Sequence, residues 1–267
     1  MSKPQVIETN FASLSYTVYS GDNSEVVLFF PGFGQEEAQY IKLIQALGEK
    51  YKVIVVDLFF HGGSKWLKQD EPLLVDEWKE LMDSLIKKEF IEKFRMMGYS
   101  MGARFAMLTT SLYPDRVTHL TLVAPDGIML SNWYRFAVEN PLTRSLFKAV
   151  VLRNSFMLRR FAERVSKIGL LDKKIYRFSS SQLQTQEQRE RVYYSWVVFR
   201  NIKVSIVKLA TLLKDKNIPV DFYMGEHDRI ITLKRIEPLR NLLPESRLFM
   251  LPSGHTHLVN DIARFEI

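Results

Sequence analysis

The stretch Phe94-Arg-Met-Met-Gly-Tyr-Ser-Met-Gly-Ala-Arg-Phe-Ala-Met-Leu108 decides how the rest of the chain is read. Lys93 to Met97 has the texture of a strand and Met101 to Leu112 the period of a helix, so Gly98-Tyr-Ser-Met-Gly102 occupies the turn between them. A G-x-S-x-G pentapeptide is a weak motif wherever it falls by chance. Between strand and helix it has a physical meaning. A serine at so sharp a turn takes a strained backbone, and glycines two before and two after leave room for it. The hydroxyl is then pushed out at the carboxyl end of a sheet, over a helix N-terminus.

On either side, short apolar runs alternate with helix-period segments. Leu14 to Ser20, Val26 to Phe30, Lys52 to Asp57 and Val117 to Ala124 read as strands, and Gln35 to Gly48 and Leu73 to Glu89 as helices. The same texture resumes with Ile218 to Met224 as a strand, Lys234 to Asn241 as a short helix and Arg247 to Leu251 as a strand. Such alternation predicts an α/β fold with a mostly parallel sheet covered on both faces. From residue 128 to about 208 strand signals nearly vanish. Asn140-Pro141 is an N-cap followed by a first-turn proline, and Thr185-x-x-Gln188 has capping-box spacing. Asn154 to Gly169 places Phe156, Met157, Phe161, Val165 and Ile168 on one face, and Ile202, Ile206, Leu209 and Leu213 form another stripe. Residues 128–200 are therefore expected to be a helical insertion in a core built from residues 1–127 and 201–267.

With 267 residues, 46% of them apolar, the chain can form one large domain without a covalent staple, burying roughly 70–75% of its unfolded surface. The absence of Cys excludes disulfides, Cys-ligated zinc, iron–sulfur clusters and a thiol nucleophile. The net charge of +7 is unevenly placed. Residues 128–208 hold 16 Lys or Arg and 5 Asp or Glu, giving +11; the other residues hold 21 against 25, giving −4. That basic segment invites an anionic partner. No helix-turn-helix or RNA-binding motif accompanies it, so nucleic acid is not expected. Its Trp133, Tyr134, Phe136, Phe147, Phe156 and Met157 lie among Arg and Lys. The mix is read first as helices burying apolar faces, with contact to an anionic membrane surface as a secondary use. The start carries Glu8 where an export signal would have an apolar run, and no apolar stretch approaches 18 residues. A soluble, cytoplasmic protein is the expectation.

A serine hydroxyl needs a base, and five histidines are available. His255, in Leu251-Pro-Ser-Gly-His255, falls just past the last expected strand, in a loop at the sheet's carboxyl end. His119 lies inside a strand pattern, and His61 and His227 belong to other loops. His255 and His257 have the spacing of a metal pair, but no carboxylate motif accompanies them, so no metal is expected. For the acid that orients the base, Gly225-Glu-His-Asp228 follows a strand and offers Asp228, with Glu226 and Asp126 as alternatives. The oxyanion donors expected are the backbone N–H of Met101 and that of Phe33, in Pro31-Gly-Phe-Gly34 after Val26 to Phe30. As a dinucleotide fingerprint Gly32-x-Gly34 fails, because Glu37 stands at the third glycine position. No phosphate-loop motif occurs, and no cofactor is expected.

Pro31-Gly-Phe-Gly34, Asp57-Leu-Phe-Phe-His-Gly-Gly-Ser64, Gly98-Tyr-Ser-Met-Gly102, Gly225-Glu-His-Asp228 and Gly254-His255 resemble, in order and spacing, the motifs of the α/β-hydrolase superfamily. The resemblance covers nearly the whole chain. It implies an eight-stranded sheet, a helical cap where the insertion falls, and a substrate pocket between the two. It also implies a triad of Ser100, Asp228 and His255 with an oxyanion hole at Phe33 and Met101. Three departures stand out. Pro31 replaces a frequent His, Phe59-Phe60 replaces a usual Pro-Gly and adds apolar bulk near the site, and the helix expected after His255 is short.

Such a family serves many reactions. The expected function is hydrolysis of a small carboxylic ester or thioester through an acyl-enzyme at Ser100. The first alternative rests on Gly98-Tyr-Ser-Met-Gly-Ala-Arg104, which is similar to the motif of the pyruvate-eliminating synthase of menaquinone biosynthesis. The resemblance to that enzyme implies proton abstraction from an anionic substrate held by arginines. A non-catalytic ligand receptor is the second alternative. Tyr99 and Arg104, flanking the nucleophile, are the candidate substrate contacts. Oligomeric state has no signature.

Overall fold

Val26–Phe30 forms a strand with all five residues buried, the uninterrupted apolar run of a parallel strand covered on both faces. The computed structural model describes residues 3–19, 25–153 and 182–264, the side chain of Trp133 excepted, and places this strand in the interior of a nine-stranded sheet. In chain order the strands are β1 (Pro4–Glu8), β2 (Ala12–Tyr19), β3 (Val26–Phe30), β4 (Lys52–Val56) and β5 (Lys65–Trp66). They continue with β6 (Phe94–Tyr99), β7 (Val117–Val123), β8 (Val220–Gly225) and β9 (Arg247–Leu251). The spatial order is β1-β2-β4-β3-β6-β7-β8-β9, with β5 on β2. The pairs involving β2 are antiparallel, and every pair from β4 to β9 is parallel. The expected mostly parallel α/β sheet is present.

The described helices are α1 (Ile41–Gly48), α2 (Val75–Lys88), α3 (Gly102–Leu112), α4 (Asn132–Glu139) and α5 (Pro141–Lys148), then α6 (Gln186–Val198), α7 (Ile206–Asp215), α8 (Leu233–Arg240) and α9 (Leu258–Asp261). The chain divides into two compact units. One comprises Met1–Lys68, Leu74–Met129 and Ile202–Ile267; the other comprises Gln69–Leu73 and Leu130–Asn201.

In the sheet unit, α3 packs on β3, β6 and β7 and is flanked by α2 and α7, while α1 packs against β4 and α9. An aromatic knot ties α2, α3 and β3 together. Trp78 is fully buried, with its ring edge-on to Phe105 at 4.8 Å and to Phe30 at 5.6 Å. Its indole N–H donates to Thr109 Oγ1 at 2.9 Å, so burying the ring leaves no polar atom stranded. Helix α2 carries Asp76 and Glu77 in its first turn and Lys87 and Lys88 in its last, matching both ends of its dipole.

The helical unit has its own core of Tyr134, Val138, Val151, Tyr193 and Val197. Trp196 stacks on Phe147 at 5.4 Å and meets Tyr134 at 5.3 Å. Both expected helix starts are present. Asn140 Oδ1 accepts the Leu142 N–H at 2.8 Å, and Thr185 and Gln188 exchange side-chain and backbone bonds at 3.1 Å. Asp70 joins this unit by accepting from Lys148 Nζ at 2.7 Å and from the Tyr193 hydroxyl at 3.1 Å.

Some elements differ from expectation. The helix expected over Gln35–Gly48 is interrupted: Glu37–Gln39 is a separate 3-10 turn, capped where Gln39 Oε1 accepts the Glu36 N–H, and Tyr40 at φ −130° breaks the path before α1. Strands β1 and β5 had no sequence signal. The stripe residues Ile202, Leu209 and Leu213 are buried within the sheet unit. The helix expected over Asn154–Gly169, with Phe156 and Met157, lies outside the described residues, as do Ser20 and residues 179–181. No described helix is long and apolar enough to cross a membrane.

Candidate active site

Four loops leave the carboxyl ends of β3, β6, β8 and β9, and because these strands are parallel their exits lie along one edge of the sheet. The β6 exit is the tightest. Ser100 follows Tyr99 with φ 51°, a left-handed conformation that costs a non-glycine residue about 1–3 kcal/mol. The turn closes only because its flanks lack side chains. A Cβ on Gly102 would come within 2.0 Å of the Phe30 carbonyl oxygen, and one on Gly98 within 2.6 Å of Ala103 Cα.

The β9 exit carries His255, which is buried, and its Nε2 lies 3.0 Å from Ser100 Oγ. On the other side of the ring, Nδ1 lies 2.6 Å from Asp228 Oδ2. Asp228 has no exposed side-chain surface, and its Oδ1 accepts the N–H groups of Ile230 at 2.7 Å and Ile231 at 2.9 Å. Both carboxylate oxygens are thus satisfied, which is the condition for keeping a buried charge. Backbone bonds from Glu226 to Leu251 and from His227 to Ser253 bind the β8 and β9 exits together. Of the three acids left open by sequence, Asp228 meets His255. Glu226 is exposed, and Asp126 is paired elsewhere.

The β3 exit runs beside this turn. A Cβ on Gly32 would lie 3.3 Å from Ser100 Cβ and 2.6 Å from the Tyr99 ring. Gln35 closes the loop by accepting the Gly32 N–H at 2.9 Å, a contact that no sequence signal announced. The Phe33 ring packs edge-on against His61, whose Nδ1 lies 3.0 Å from the Phe59 carbonyl. Among the described residues, neither the Phe33 nor the Met101 backbone N–H has a hydrogen-bond acceptor. Two donors in this setting suit a developing oxyanion.

Tyr99 and Arg104 are engaged within the protein rather than held out toward a substrate. The Tyr99 hydroxyl donates to the His255 carbonyl at 2.5 Å, and burial, with Asp228 nearby, pushes its ionisation far above the ordinary phenol range. Arg104 is 8% exposed, and its guanidinium donates to Asp126 Oδ2 at 2.5 Å. His257 is exposed, whereas both ring nitrogens of His255 are engaged by Ser100 and Asp228. His119 is buried against Asp221 at 2.9 Å. The Phe59-Phe60 departure resolves into two roles. Phe59 is fully buried against Trp66, and Phe60, at φ 69°, takes the left-handed backbone that favours glycine.

A serine, histidine and aspartate linked in series at the carboxyl edge of a parallel sheet, with the serine on a left-handed strand-to-helix turn, define an α/β protein of the hydrolase class. Residues 25–260 match the family model described as alpha/beta hydrolase fold, and the chain belongs to that family. The chain is similar to a candidate 2-succinyl-6-hydroxy-2,4-cyclohexadiene-1-carboxylate synthase of Bacillus subtilis (strain 168), 25% identical over 256 residues, covering 87% of this chain and 84% of the other. It is also similar to the monoacylglycerol lipase ABHD6 of Rattus norvegicus, 27% identical over 111 residues, covering 41% of this chain and 33% of the lipase. The first curated relatives are matched over only 28 to 33% of their own length. Among solved structures, a thermophilic esterase from Thermogutta terrifontis superposes with a TM-score of 0.69 at 18% identity, covering 99% of this chain and 95% of that one; this likeness shows the fold alone.

Proposed function

We propose that the protein is a serine hydrolase acting on a small carboxylic ester or thioester through an acyl-enzyme at Ser100. The observation that carries this reading is the unbroken series from Ser100 Oγ to His255 Nε2, at 3.0 Å, and from His255 Nδ1 to Asp228, at 2.6 Å. Ser100 Oγ attacks the acyl carbon while its proton passes to Nε2, and Asp228 holds the ring in the tautomer that leaves Nε2 free to accept. The carbonyl oxygen gains charge in front of the Phe33 and Met101 N–H groups. Collapse expels the alcohol or thiol, which takes the proton from His255. Water, deprotonated by the same imidazole, then releases the acid and restores Ser100.

The second reading, a lyase that uses the same base for proton abstraction from an anionic substrate, draws support from the match to the Bacillus subtilis protein over most of both chains. Against it, Arg104 is ion-paired with Asp126. An acyl-chain panel of p-nitrophenyl esters and thioesters, combined with fluorophosphonate labelling, separates the two. The hydrolase releases nitrophenol and labels at Ser100. Ser100→Ala should abolish labelling and lower kcat by about 10⁴-fold or more. Asp228→Asn should cost about 10³- to 10⁴-fold by stranding the wrong tautomer. A folded wild-type protein that neither turns over esters nor labels would reject the hydrolase reading.

A further inference from the structure

Two turns beside the candidate nucleophile carry non-glycine residues with left-handed backbone, Ser100 at φ 51° and Ala124 at φ 38°. They are hydrogen-bonded across the sheet edge. The Ser100 N–H donates to the Val123 carbonyl at 2.9 Å, and the Asp126 N–H donates to the Ser100 carbonyl at 3.0 Å. Each conformation is unfavourable alone and persists only where its surroundings over-determine it. The Asp126 carboxylate reaches back to Arg104, one turn into α3, at 2.5 Å. Gly127, at φ 101°, lets the backbone lie on the Arg104 stem, where a Cβ would come within 2.5 Å of Arg104 Cγ. The circuit closes through the first turn of α3, where the Arg104 N–H donates to Met101 O at 3.1 Å and the Ala103 N–H to Ser100 O at 3.0 Å.

We propose that Arg104 and Asp126 form a positioning pair that clamps the β7 exit onto the nucleophile turn and holds Ser100 Oγ in line with His255. The pair acts on the nucleophile through the backbone hydrogen bonds of its turn. The Arg104 side chain is 9% exposed, and the pair joins the two strained turns through the backbone of Asp126 itself. With the Asp126 side chain 22% exposed, this half-buried ion pair contributes little net stability, since desolvation and solvent screening offset the attraction. Such a pair is explained here by the single geometry it imposes on the nucleophile. A displacement of the order of 1 Å at a reacting group lowers rate about 100-fold, so a loosened clamp acts on kcat.

This inference rests on the hydrolase reading for its kinetic arm and on hydrogen exchange for an arm independent of chemistry. Arg104→Met, Arg104→Lys and Asp126→Asn are compared with wild type in the full chain. The substrates are p-nitrophenyl acetate and the anionic p-nitrophenyl hemisuccinate, alongside fluorophosphonate labelling rates and amide exchange at Asp126. Arg104→Met should lower kcat and the labelling rate by about 10- to 100-fold on both esters, with KM held within about twofold. Arg104→Lys should recover part of the loss, and the Asp126 amide should exchange about tenfold faster or more in Arg104→Met and Asp126→Asn. A rise in KM confined to the anionic ester, with kcat unchanged, would make Arg104 a substrate contact and overturn the proposal. Unchanged kcat and exchange would also overturn it. If Arg104→Met fails to fold, Arg104→Lys and Asp126→Asn carry the same comparison. If wild type neither hydrolyses nor labels, the hydrolase reading fails, and the exchange of the Asp126 amide still decides the clamp.

Discussion

Tyr99 turns its ring beneath His255, with centroids 5.3 Å apart, and donates its hydroxyl to the carbonyl of that same residue. Burial keeps the phenol protonated, so it acts as a donor throughout the working pH range. Tyr99→Phe removes one buried bond and leaves the ring in place. It should cost about 1 kcal/mol of stability and lower kcat by about 3- to 10-fold, measured by thermal unfolding and steady-state ester hydrolysis. The identity of Ser100 as the hydroxyl of the strained turn was legible because that turn is written in two flanking glycines. His255 was legible because it follows directly on a strand. The roles of Tyr99 and Arg104 were not, since nothing in their spacing tells which way each side chain turns. Gln35 was missed for a similar reason. A side chain that returns to its own loop leaves no periodic trace.

The strand–turn–helix element from Phe94 to Leu112 holds because β3 and α3 approach closely over Gly102. Gly102→Ala would force Cβ against the Phe30 carbonyl and should destabilise by about 3 kcal/mol or more, read as a lowered denaturation midpoint. Gly48, the last residue of α1, has nothing within 4 Å of its Cβ direction, and Gly48→Ala should stabilise by about 0.5–1 kcal/mol in the same assay. Interior strands were legible in sequence: β3 is buried throughout and reads as an apolar run, and β8 is buried throughout with Asp221 as its one charged residue. Strand β1 was not, because only Ile7 of its five residues is buried and it is held by backbone pairing to β2. Strand β6 runs two residues further than its sequence texture, because Gly98 and Tyr99 pair with Leu122 and Val123. That pairing brings the sheet directly up to Ser100.

Across the whole molecule, charge is distributed in two ways that bear on different properties. Near the amino ends of β7, β8 and β9, Asp221 is buried between His119 and the bidentate Arg247. Burial pushes its carboxyl up, but the hydrogen bonds from His119 and Arg247 outweigh that and hold it at about 2. Its folded-state value lies below the unfolded one of about 3.9, so its contribution is fully present above about pH 4 and is lost as pH falls toward 2. With solvent screening through the exposed Arg247, this amounts to on the order of 1–2 kcal/mol. Asp221→Asn should therefore lower Tm at neutral pH and flatten the loss of stability between about pH 4 and 2, with ester turnover retained. The second distribution is the contrast of +11 over residues 128–208 with −4 over the remainder, a charge asymmetry along the chain that bears on solubility and long-range association. The sequence by itself determined the α/β class, the helix starts at Asn140 and Thr185 and the nucleophile turn, because periodicity, capping and glycine spacing act within a few residues. Only the tertiary structure decided which carboxylate reaches His255 and where Arg104 directs its charge. Those pairings depend on which strand exits lie side by side, and Asp228 and His255, 27 residues apart, meet because β8 and β9 end together.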